Sequence, residues 1–354
     1  MQIFDIIKQS SKIILYPISL LYSIIVFFRN FFYNIGLFST YRLPCIVISV
    51  GNVSIGGTGK TPIVASLANL LTKHGKKTAI ISRGYLRKTK GTVLVSDGKN
   101  LLCEWHECGD EAYMLGKKLT NIPIVVDEKR YRGGHFIIKQ FKPDIIILDD
   151  GFQHRQLFRD LDIITINANE KFKNYTMIPK GNLREPFNNI GKRADLLLIT
   201  KGIPDINLTS KLNDISLPLF NTKIKAYITT NQRNKEVFQK GKVFLLSGIA
   251  DPYSFKKTAL SLGLKILGQK SYPDHFPFKK THISKAENRA KEIGAEYIVT
   301  TEKDWVRILP LKPNYKYAII KIELKIVEEK NLINLISKKL NLGHTPSKDN
   351  TNKS

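Results

Sequence analysis

Short, continuously apolar runs alternate with stretches of helical periodicity from residue 45 onward. Runs such as CIVISV (45–50) and DIIILDD (144–150) are rich in β-branched residues, which is typical of strands buried on both faces of a sheet. The alternation predicts an α/β fold with a doubly wound, mostly parallel sheet. The predicted strands in this part of the chain are 45–50, 78–84, 92–96, 122–127, 144–150, 161–167 and 194–200, and the predicted helices are 61–74, 110–119 and 129–141.

Residues 216–242 indicate a boundary between two domains, because this stretch is polar and has only short strand-like pieces. Beyond it the alternation of strands and helices resumes. We therefore expect a first domain at 41–225, completed by 305–343, and a second, smaller α/β domain at 240–304. The polar tail at 344–354 is expected to be disordered.

The N-terminal region at 1–40 has a different pattern. Residues 13–28 are almost wholly apolar, with basic residues on both sides. A helix of this length rises about 24 Å, less than a hydrocarbon core of about 30 Å, and Pro17 interrupts the run. The pattern therefore favours an apolar N-terminal helix that attaches to a membrane surface over one that spans it, with a buried core helix as the alternative.

Composition adds a strong basic character to this picture. The chain has 56 Lys and Arg against 30 Asp and Glu, a formal net charge of +26. Such a surface attracts nucleic acid, nucleotide phosphates or an anionic lipid leaflet, although compositional drift towards lysine explains it equally well. The three cysteines are an odd number, which argues against a disulfide framework. A zinc site at Cys103, His106 and Cys108 is disfavoured because a second ligand pair is absent from the motif.

The segment SIGGTGKT, at 54–61, carries the clearest chemistry. It lies between a predicted strand and a predicted helix, where glycines let backbone amides surround phosphate groups. Lys60 is expected to reach the β- and γ-phosphates, and the Thr61 hydroxyl to bind magnesium. Serine replaces the usual first glycine. The segment predicts a P-loop NTPase-type fold and a nucleotide triphosphate site made of Ser54, Ile55, Gly56, Gly57, Thr58, Gly59, Lys60 and Thr61.

Acidic and histidine residues follow at three further places. Asp149 and Asp150 end an apolar strand, the position from which such folds reach the metal. Asp110 lies at a predicted helix start, where acidic residues commonly cap the helix or interact with its dipole. His275 lies in a loop between two prolines and is either a proton carrier, an orienting partner for a carboxylate or a structural residue.

The order of the motifs along the chain resembles that of the tetraacyldisaccharide 4'-kinase family, the lipid A 4'-kinases of Gram-negative envelopes. The resemblance extends from about residue 45 to about residue 305. The motifs that carry it are GNVSIGGTGKTP, SRGY, GDEAYML, DDGFQHRQLFRD, LREP, YPDHF and TTEKD.

The resemblance implies transfer of phosphate from MgATP to the 4'-hydroxyl of a lipid A disaccharide precursor at the cytoplasmic leaflet of the inner membrane. It makes Asp110 the catalytic base, His275 its partner and Lys60 a further catalytic residue. It assigns Asp149 and Asp150, with Thr61, to magnesium. It places Glu111, Arg184, Glu185 and Thr301 near the sugar-lipid substrate.

Two other classes of protein compete with this interpretation. One is a P-loop GTPase-like accessory protein, because ITKG at 199–202 faintly resembles a guanine-reading motif that would end in Asp. The other is a nucleic-acid-binding module, which only the charge suggests. We expect no nucleic-acid partner and infer no obligate protein partner.

Overall fold

The computed structural model of the protein describes residues 2–170, 175–230 and 241–342. Within these residues the predicted alternation is present throughout. The helices are α1 Gln2–Asn34, α2 Lys60–Lys73, α3 Trp105–Cys108, α4 Asp110–Lys118, α5 Arg130–Phe141, α6 Asn189–Arg193, α7 Ile206–Ile215, α8 Pro252–Ser261, α9 Lys280–Glu292, α10 Glu302–Ile308 and α11 Glu329–Lys339. The strands are β1 Ile46–Gly51, β2 Thr78–Ser82, β3 Val93–Ser96, β4 Ile124–Val126, β5 Ile145–Asp149, β6 Leu161–Asn167, β7 Leu196–Thr200, β8 Leu219–Thr230, β9 Lys242–Ser247, β10 Lys265–Ser271, β11 Tyr297–Thr301 and β12 Tyr317–Ile326.

The twelve strands of the described residues form one sheet, in the order β10-β9-β11-β12-β8-β7-β6-β1-β5-β2-β4-β3. Every neighbouring pair is parallel except β3 with β4 and β8 with β12. The central strands β2, β5 and β7 are buried at every position, as continuous apolar runs require. The predicted doubly wound, mostly parallel α/β fold is confirmed. The carboxyl ends of β1, β5 and β7 lie at one edge, where such sheets bind ligands.

Strand β8 joins the two halves of the sheet. Its first three residues pair with β7, and residues 222–230 pair with β12. The domain boundary that we placed at residue 225 therefore falls inside a hydrogen-bonded strand. A polar strand between two sheet halves looks like a linker in the sequence, because its side chains are only partly buried.

Strand β12 belongs to both halves. Tyr317 and Ile320 pack in the apolar clusters beside β9 and β11, whereas Leu324 and Ile326 pack in the core around α2. Helix α11 covers that same core with Leu332 and its neighbours. The C-terminal residues thus return to the first half of the sheet. The predicted disordered tail at 344–354 lies outside the described residues.

Helix α1 is longer than the apolar run suggested, with 33 residues and a length of about 50 Å. Pro17 lies inside it, so the expected interruption is wrong; a proline removes one backbone hydrogen bond, and the turns on either side continue the helix. Residues Leu15–Asn34 are long and apolar enough to cross a membrane. The length of the run therefore does not argue against spanning.

One face of α1 lies against the first half of the protein. Ser19, Val26 and Asn30 are buried, and the backbone N–H of Lys180 donates to Ser19 Oγ at 3.0 Å. The opposite face is exposed, as at Ile25, so the core-helix alternative is wrong.

Candidate active site

The loop at 54–61 connects β1 to α2 at the carboxyl edge of the sheet. Gly56 and Gly59 have φ angles of 107° and 81°, a left-handed conformation that glycine adopts at little cost. Ser54 has no positive φ, and its hydroxyl donates to Glu170 Oε2 at 3.1 Å, which explains why serine is tolerated at the first position. The loop and the N-terminus of α2 form a turn suited to phosphate.

The other loop residues are held by neighbouring strands. Thr58 is buried; its hydroxyl bonds to that of Thr165 on β6 at 2.9 Å, and its carbonyl accepts from the Thr200 hydroxyl at 2.8 Å. Ile55 is exposed, and Gly57 lies beside the Lys201 ammonium. The loop is therefore supported from β6 and β7, and the backbone N–H of Ile55 donates to the carbonyl of Asn182 at 2.7 Å.

Lys60 extends from the start of α2 towards the strand tips. Its Nζ donates to Asn52 Oδ1 at 3.2 Å and lies 3.4 Å from Asp150 Oδ1. Asp150 also forms an ion pair with Arg184, whose Nη1 lies 3.0 Å from Oδ2. The loop lysine, the strand tip and the LREP motif thus meet at one point.

Asp149 and Asp150 differ in their electrostatics. Burial, together with the charges of Glu111 and Asp150, raises the pKa of Asp149 to about 7. Burial also opposes ionisation of Asp150, but the charges of Lys60 and Arg184 outweigh it and hold its pKa below the usual value. Asp149 is therefore a buried carboxylate that lacks sufficient positive charge.

The oxygen-bearing side chains at the strand tip and the loop, Asp149, Asp150 and Thr61, fit a magnesium ion. Among residues 2–170, 175–230 and 241–342, no three His, Cys, Asp or Glu side chains cluster so as to hold a metal by themselves. The same finding removes the zinc hypothesis for Cys103 and Cys108, which are free thiols. Magnesium commonly takes one or two carboxylates and completes its shell with water and substrate phosphates. Asp149, Asp150 and the Thr61 hydroxyl provide such a partial set of oxygen ligands.

The structure brings Asp110 and His275 together across 165 positions of sequence. His275 Nδ1 lies 3.1 Å from Asp110 Oδ2. Gly109 is the N-cap of α4, so Asp110 is the first helical residue and not the cap. Its other oxygen accepts from the backbone N–H of Glu111 at 2.9 Å. The helix-cap role that residue chemistry favoured for Asp110 is wrong, because glycine takes that position.

Cations keep Asp110 ionised although it is buried. Burial favours the neutral acid, but the hydrogen bond from His275 and the charges of Lys303 and Arg307 outweigh it and lower the pKa of Asp110. Asp110 is 5% exposed, so it is a shielded carboxylate at the boundary between the two halves of the sheet. This is an arrangement in which a carboxylate can accept a proton from a bound hydroxyl.

Sequence reasoning missed two cations of α10, Lys303 and Arg307. The Lys303 ammonium lies 2.8 Å from His275 Nε2, and Arg307 Nε lies 3.7 Å from Asp110 Oδ2. The two residues are four positions apart, so they share one face of the helix. That spacing, directly after a strand, was the available signal.

The four residues expected near the substrate have different surroundings. Glu111 Oε2 accepts from the Thr61 hydroxyl at 3.4 Å, and Arg184 pairs with Asp150, so both face the site. Glu185 is fully buried, where its carboxylate binds Arg193 and Gln153. The Thr301 hydroxyl caps α10 through Asp304.

A second cationic group, also missed, lies near the strand tips. Arg130 is buried, and this burial, with the charge of Arg83, lowers its pKa to about 10. Burial next to Arg130 lowers the pKa of His154 to about 4. Within the described part of the chain, the Arg130 Nε and His154 Nε2 atoms are buried and have no hydrogen-bond partner. Arg130 therefore adds positive potential beside Asp149 and Asp150, whereas His154 is neutral at neutral pH.

Comparison with known proteins gives one consistent result. The sequence model of the tetraacyldisaccharide-1-P 4'-kinase family matches residues 11–341. A tetraacyldisaccharide 4'-kinase of Chlorobaculum tepidum is 39% identical over 309 residues, covering 85% of this chain and 88% of the relative. That of Aquifex aeolicus is 37% identical over 328 residues, covering 91% and 97%. The crystal structure of LpxK from Aquifex aeolicus in complex with ATP superposes with a TM-score of 0.73 at 34% identity, over 91% of this chain and 97% of that one.

Proposed function

The chain belongs to the tetraacyldisaccharide-1-P 4'-kinase family, and we propose that it performs the family's reaction with Asp110 as the base and the loop at 54–61 as the ATP site. It is an ATP-dependent kinase that phosphorylates the 4'-hydroxyl of a lipid A disaccharide precursor. Family membership leaves the GTPase and nucleic-acid alternatives without support. The pairing of Asp110 with His275 beside the loop carries the assignment of roles.

The nucleotide side of the site holds and neutralises the transferring phosphate. The amides of the loop and the N-terminus of α2 would bind the phosphate chain, and Lys60 would offset charge on the group in transfer. Asp149, Asp150 and Thr61 would hold magnesium, which supplies further charge neutralisation when bound. A cation there would also offset the burial and the anionic neighbours that raise the pKa of Asp149.

The acceptor side activates the alcohol. An alcohol is a weak nucleophile, so the 4'-hydroxyl must lose its proton as its oxygen attacks the γ-phosphorus. Asp110 Oδ2 takes that proton, the new P–O bond forms, and ADP leaves. His275 fixes the orientation of the carboxylate through its Nδ1 contact of 3.1 Å. Glu111, which contacts Thr61, and Arg184, which pairs with Asp150, would contact the sugar.

Phosphate transfer tests this proposal directly. The full chain is incubated with γ-labelled ATP, magnesium and a tetraacyl disaccharide 1-phosphate in detergent micelles, and the labelled lipid is analysed for the position of the new phosphate. We expect label at the 4' position, with a rate about 10²-fold to 10³-fold lower in Lys60→Ala and a normal rate in Lys73→Ala, at the far end of α2. Label only in free phosphate, or equal activity in both variants, would refute the proposal.

We further propose that α1 attaches the enzyme to the cytoplasmic face of the inner membrane as a monotopic helix. Its buried face contacts the protein over several turns, from Ser19 to the carbonyl of Asn30, which accepts from Arg155 at 2.9 Å. Leu21, Ile25 and Phe28, on the opposite side, are exposed apolar residues at helical spacing. A helix held in this way can place one face into a single leaflet.

Vesicle sedimentation tests the attachment. Leu21→Asp/Ile25→Asp should release the chain from vesicles of anionic phospholipid. Ile203→Asp/Ile206→Asp is the matched control, since these side chains are 91% and 84% exposed outside α1. If the α1 variant still sediments like the parent chain, the basic surface and not α1 provides the attachment. Protease access from either side of sealed vesicles distinguishes a monotopic from a spanning helix.

A further inference from the structure

Lys201 lies directly after β7 and extends towards the loop at 54–61. A Cβ atom placed on Gly57 would lie 3.9 Å from the Lys201 ammonium, and it would meet no other described residue beyond its chain neighbours within 4 Å. A Cβ atom placed on Gly56 would meet nothing at all within that distance. The face of the loop at these two glycines is therefore open, and the ammonium borders the open space.

The Lys201 ammonium is largely shielded from water but only weakly paired. Its side chain is 17% exposed. In the described part of the chain its ion-pair partner is Asp251, whose Oδ2 lies 3.6 Å away, beyond hydrogen-bond distance. A charged group that has lost most of its water is unfavourable unless it is paired and hydrogen-bonded. An anion bound at the loop would provide the acceptor that this ammonium lacks.

The backbone fixes Lys201 at this place. Its φ angle is 63°, in the left-handed region that a non-glycine residue rarely adopts. The preceding residue, Thr200, donates its hydroxyl to the carbonyl of Thr58 in the loop at 2.8 Å, so the end of β7 is attached to the loop. Backbone conformations of this kind persist only where the surrounding structure imposes them, and they concentrate at ligand sites. The uncommon conformation of Lys201 therefore indicates a function for its side chain.

We propose that Lys201 is a nucleotide-binding residue, whose ammonium contacts the phosphate chain of ATP bound at the loop. The proposal rests on the proposed function, because that function places ATP at 54–61. An ammonium offers three N–H donors, and its hydrogen bonds to phosphate oxygens are strengthened by the opposite charges. Lys60 comes from the end of the loop itself, whereas Lys201 comes from β7. The phosphate chain is thus held by cations from two separate elements.

The competing explanation of Lys201 is that it only joins the two halves of the protein through Asp251. The carboxylate of Asp251 has a role of its own, because its Oδ1 accepts from the backbone N–H of Ser254 at 2.9 Å and caps α8. Asp251 is also 40% exposed, and an ion pair at 3.6 Å with such a group contributes little. A phosphate chain, which carries several negative charges, is the stronger partner for the ammonium.

Ligand binding to the full chain in detergent micelles tests the proposal without any phosphate transfer. ATP and inorganic tripolyphosphate are each titrated by calorimetry in the presence of magnesium. We expect Lys201→Met to weaken both ligands by about 10-fold to 100-fold, the usual effect of losing a hydrogen bond between charged groups. Lys201→Gly should show the same loss in a stably folded chain, because glycine suits the φ angle of 63°. Lys201→Arg keeps the charge and should restore most of the affinity.

Two further variants separate nucleotide binding from a structural role. Asp251→Asn removes the ion pair but keeps a capping side chain on α8, so ATP affinity should stay near that of the parent chain. Lys211→Met is the matched control, since Lys211 is a half-exposed lysine on α7 that pairs with Asp214. It should change neither the affinity for ATP nor the thermal midpoint. An equal loss of ATP affinity in Asp251→Asn and Lys201→Met would overturn the proposal, because the ion pair would then be responsible.

The two ligands identify the part of the nucleotide that Lys201 contacts. A loss of ATP affinity in Lys201→Met with unchanged tripolyphosphate affinity would assign the ammonium to the base or the ribose and overturn the proposal. Unchanged affinity for both ligands would overturn it as well, while a parent chain that still phosphorylates the lipid would leave the proposed function intact. A parent chain that binds no ATP would refute the proposed function, and this inference with it.

Discussion

The metal side of the site, which is the part of the nucleotide side around Asp149 and Asp150, and the acceptor side around Asp110 each contain a buried carboxylate. The two carboxylates differ in the direction of their pKa shifts. Burial and the anionic neighbours Glu111 and Asp150 raise the pKa of Asp149 to about 7. Asp110 is also buried, but His275, Lys303 and Arg307 lower its pKa. The positive charge near the first carboxylate is too small to offset its burial, which fits the proposed metal ligand, whereas cations keep the second carboxylate ionised, as the proposed base requires. The environment, and not the residue type, divides the two roles.

The two sides also differ in how they are assembled. The metal side uses the loop, β5 and the LREP segment, all in the first half of the sheet. The acceptor side needs α4 from the first half and the His275 loop and α10 from the second. A local perturbation of the metal side should therefore leave the acceptor side intact, whereas the acceptor side depends on contact between the halves.

The largest expected effect is that of Asp110→Asn. The substitution keeps the shape of the side chain but removes the proton acceptor, so kcat should fall by about 10²-fold to 10⁴-fold. ATP affinity should stay near that of the parent chain, because the substitution leaves the phosphate-binding loop and Lys60 unchanged. Steady-state kinetics and calorimetric ATP binding measure the two effects. A variant that retains more than a tenth of the parent kcat would show that Asp110 is not the base.

Lys60→Ala should lower kcat by about 10²-fold to 10³-fold, the usual effect of losing one charge-stabilising donor. The thermal midpoint should be little changed, because the loop backbone is held by β6 and β7 through Thr58. Activity assays and thermal unfolding measure these. If the protein unfolds at a clearly lower temperature, Lys60 is structural and the separation of the two sides fails.

His275→Ala should cost less than Asp110→Asn, because it removes the partner and leaves the base. The two losses should not multiply in the double variant, since the residues act as one unit. A double-mutant cycle on kcat measures this coupling. A double variant whose loss equals the product of the single losses would mean that the two residues act independently.

Magnesium affinity should depend on pH through Asp149. Its pKa is raised, so at pH below about 7 it is protonated and must release that proton to bind the metal. Affinity should therefore weaken as pH falls through about 7, by up to about tenfold per unit. Magnesium titrations of the ATP complex at several pH values test this, and Asp149→Asn should remove the dependence. A parent chain with a flat profile would mean that Asp149 is ionised before the metal binds.

The smallest effect is expected for Tyr22→Phe on α1. The Tyr22 hydroxyl donates to the carbonyl of Arg184 at 3.1 Å, and the Arg184 guanidinium pairs with Asp150. Loss of one such hydrogen bond costs about 0.5–1.5 kcal/mol of stability. We expect a slightly lower thermal midpoint and near-normal kcat. A large fall in kcat would mean that α1 positions the metal side.

The sequence was most informative where function depends on adjacent residues. The loop at 54–61, the strand tip at Asp149 and the alternation of strands and helices all follow from local pattern. Contacts between distant segments do not follow from local pattern. The pairing of Asp110 with His275 followed from the family resemblance. Lys303 lies in TTEKD, one of the motifs that carry this resemblance, but its contact with His275 was not predicted. Polar pairing in β8 and the continuation of α1 through Pro17 depend on neighbours that no local pattern contains.

The docking of α1 also has a consequence for the order of synthesis. The helix is complete about 150 residues before Arg184 is made, which corresponds to about 8–30 s at about 5–20 residues per second. During that time the nascent chain carries a long apolar helix whose own protein surface does not yet exist. We expect the ribosome-bound chain to associate with a membrane or a chaperone before its nucleotide loop has folded. The enzyme would thus be localised while it is still being translated, and its catalytic half would fold in place.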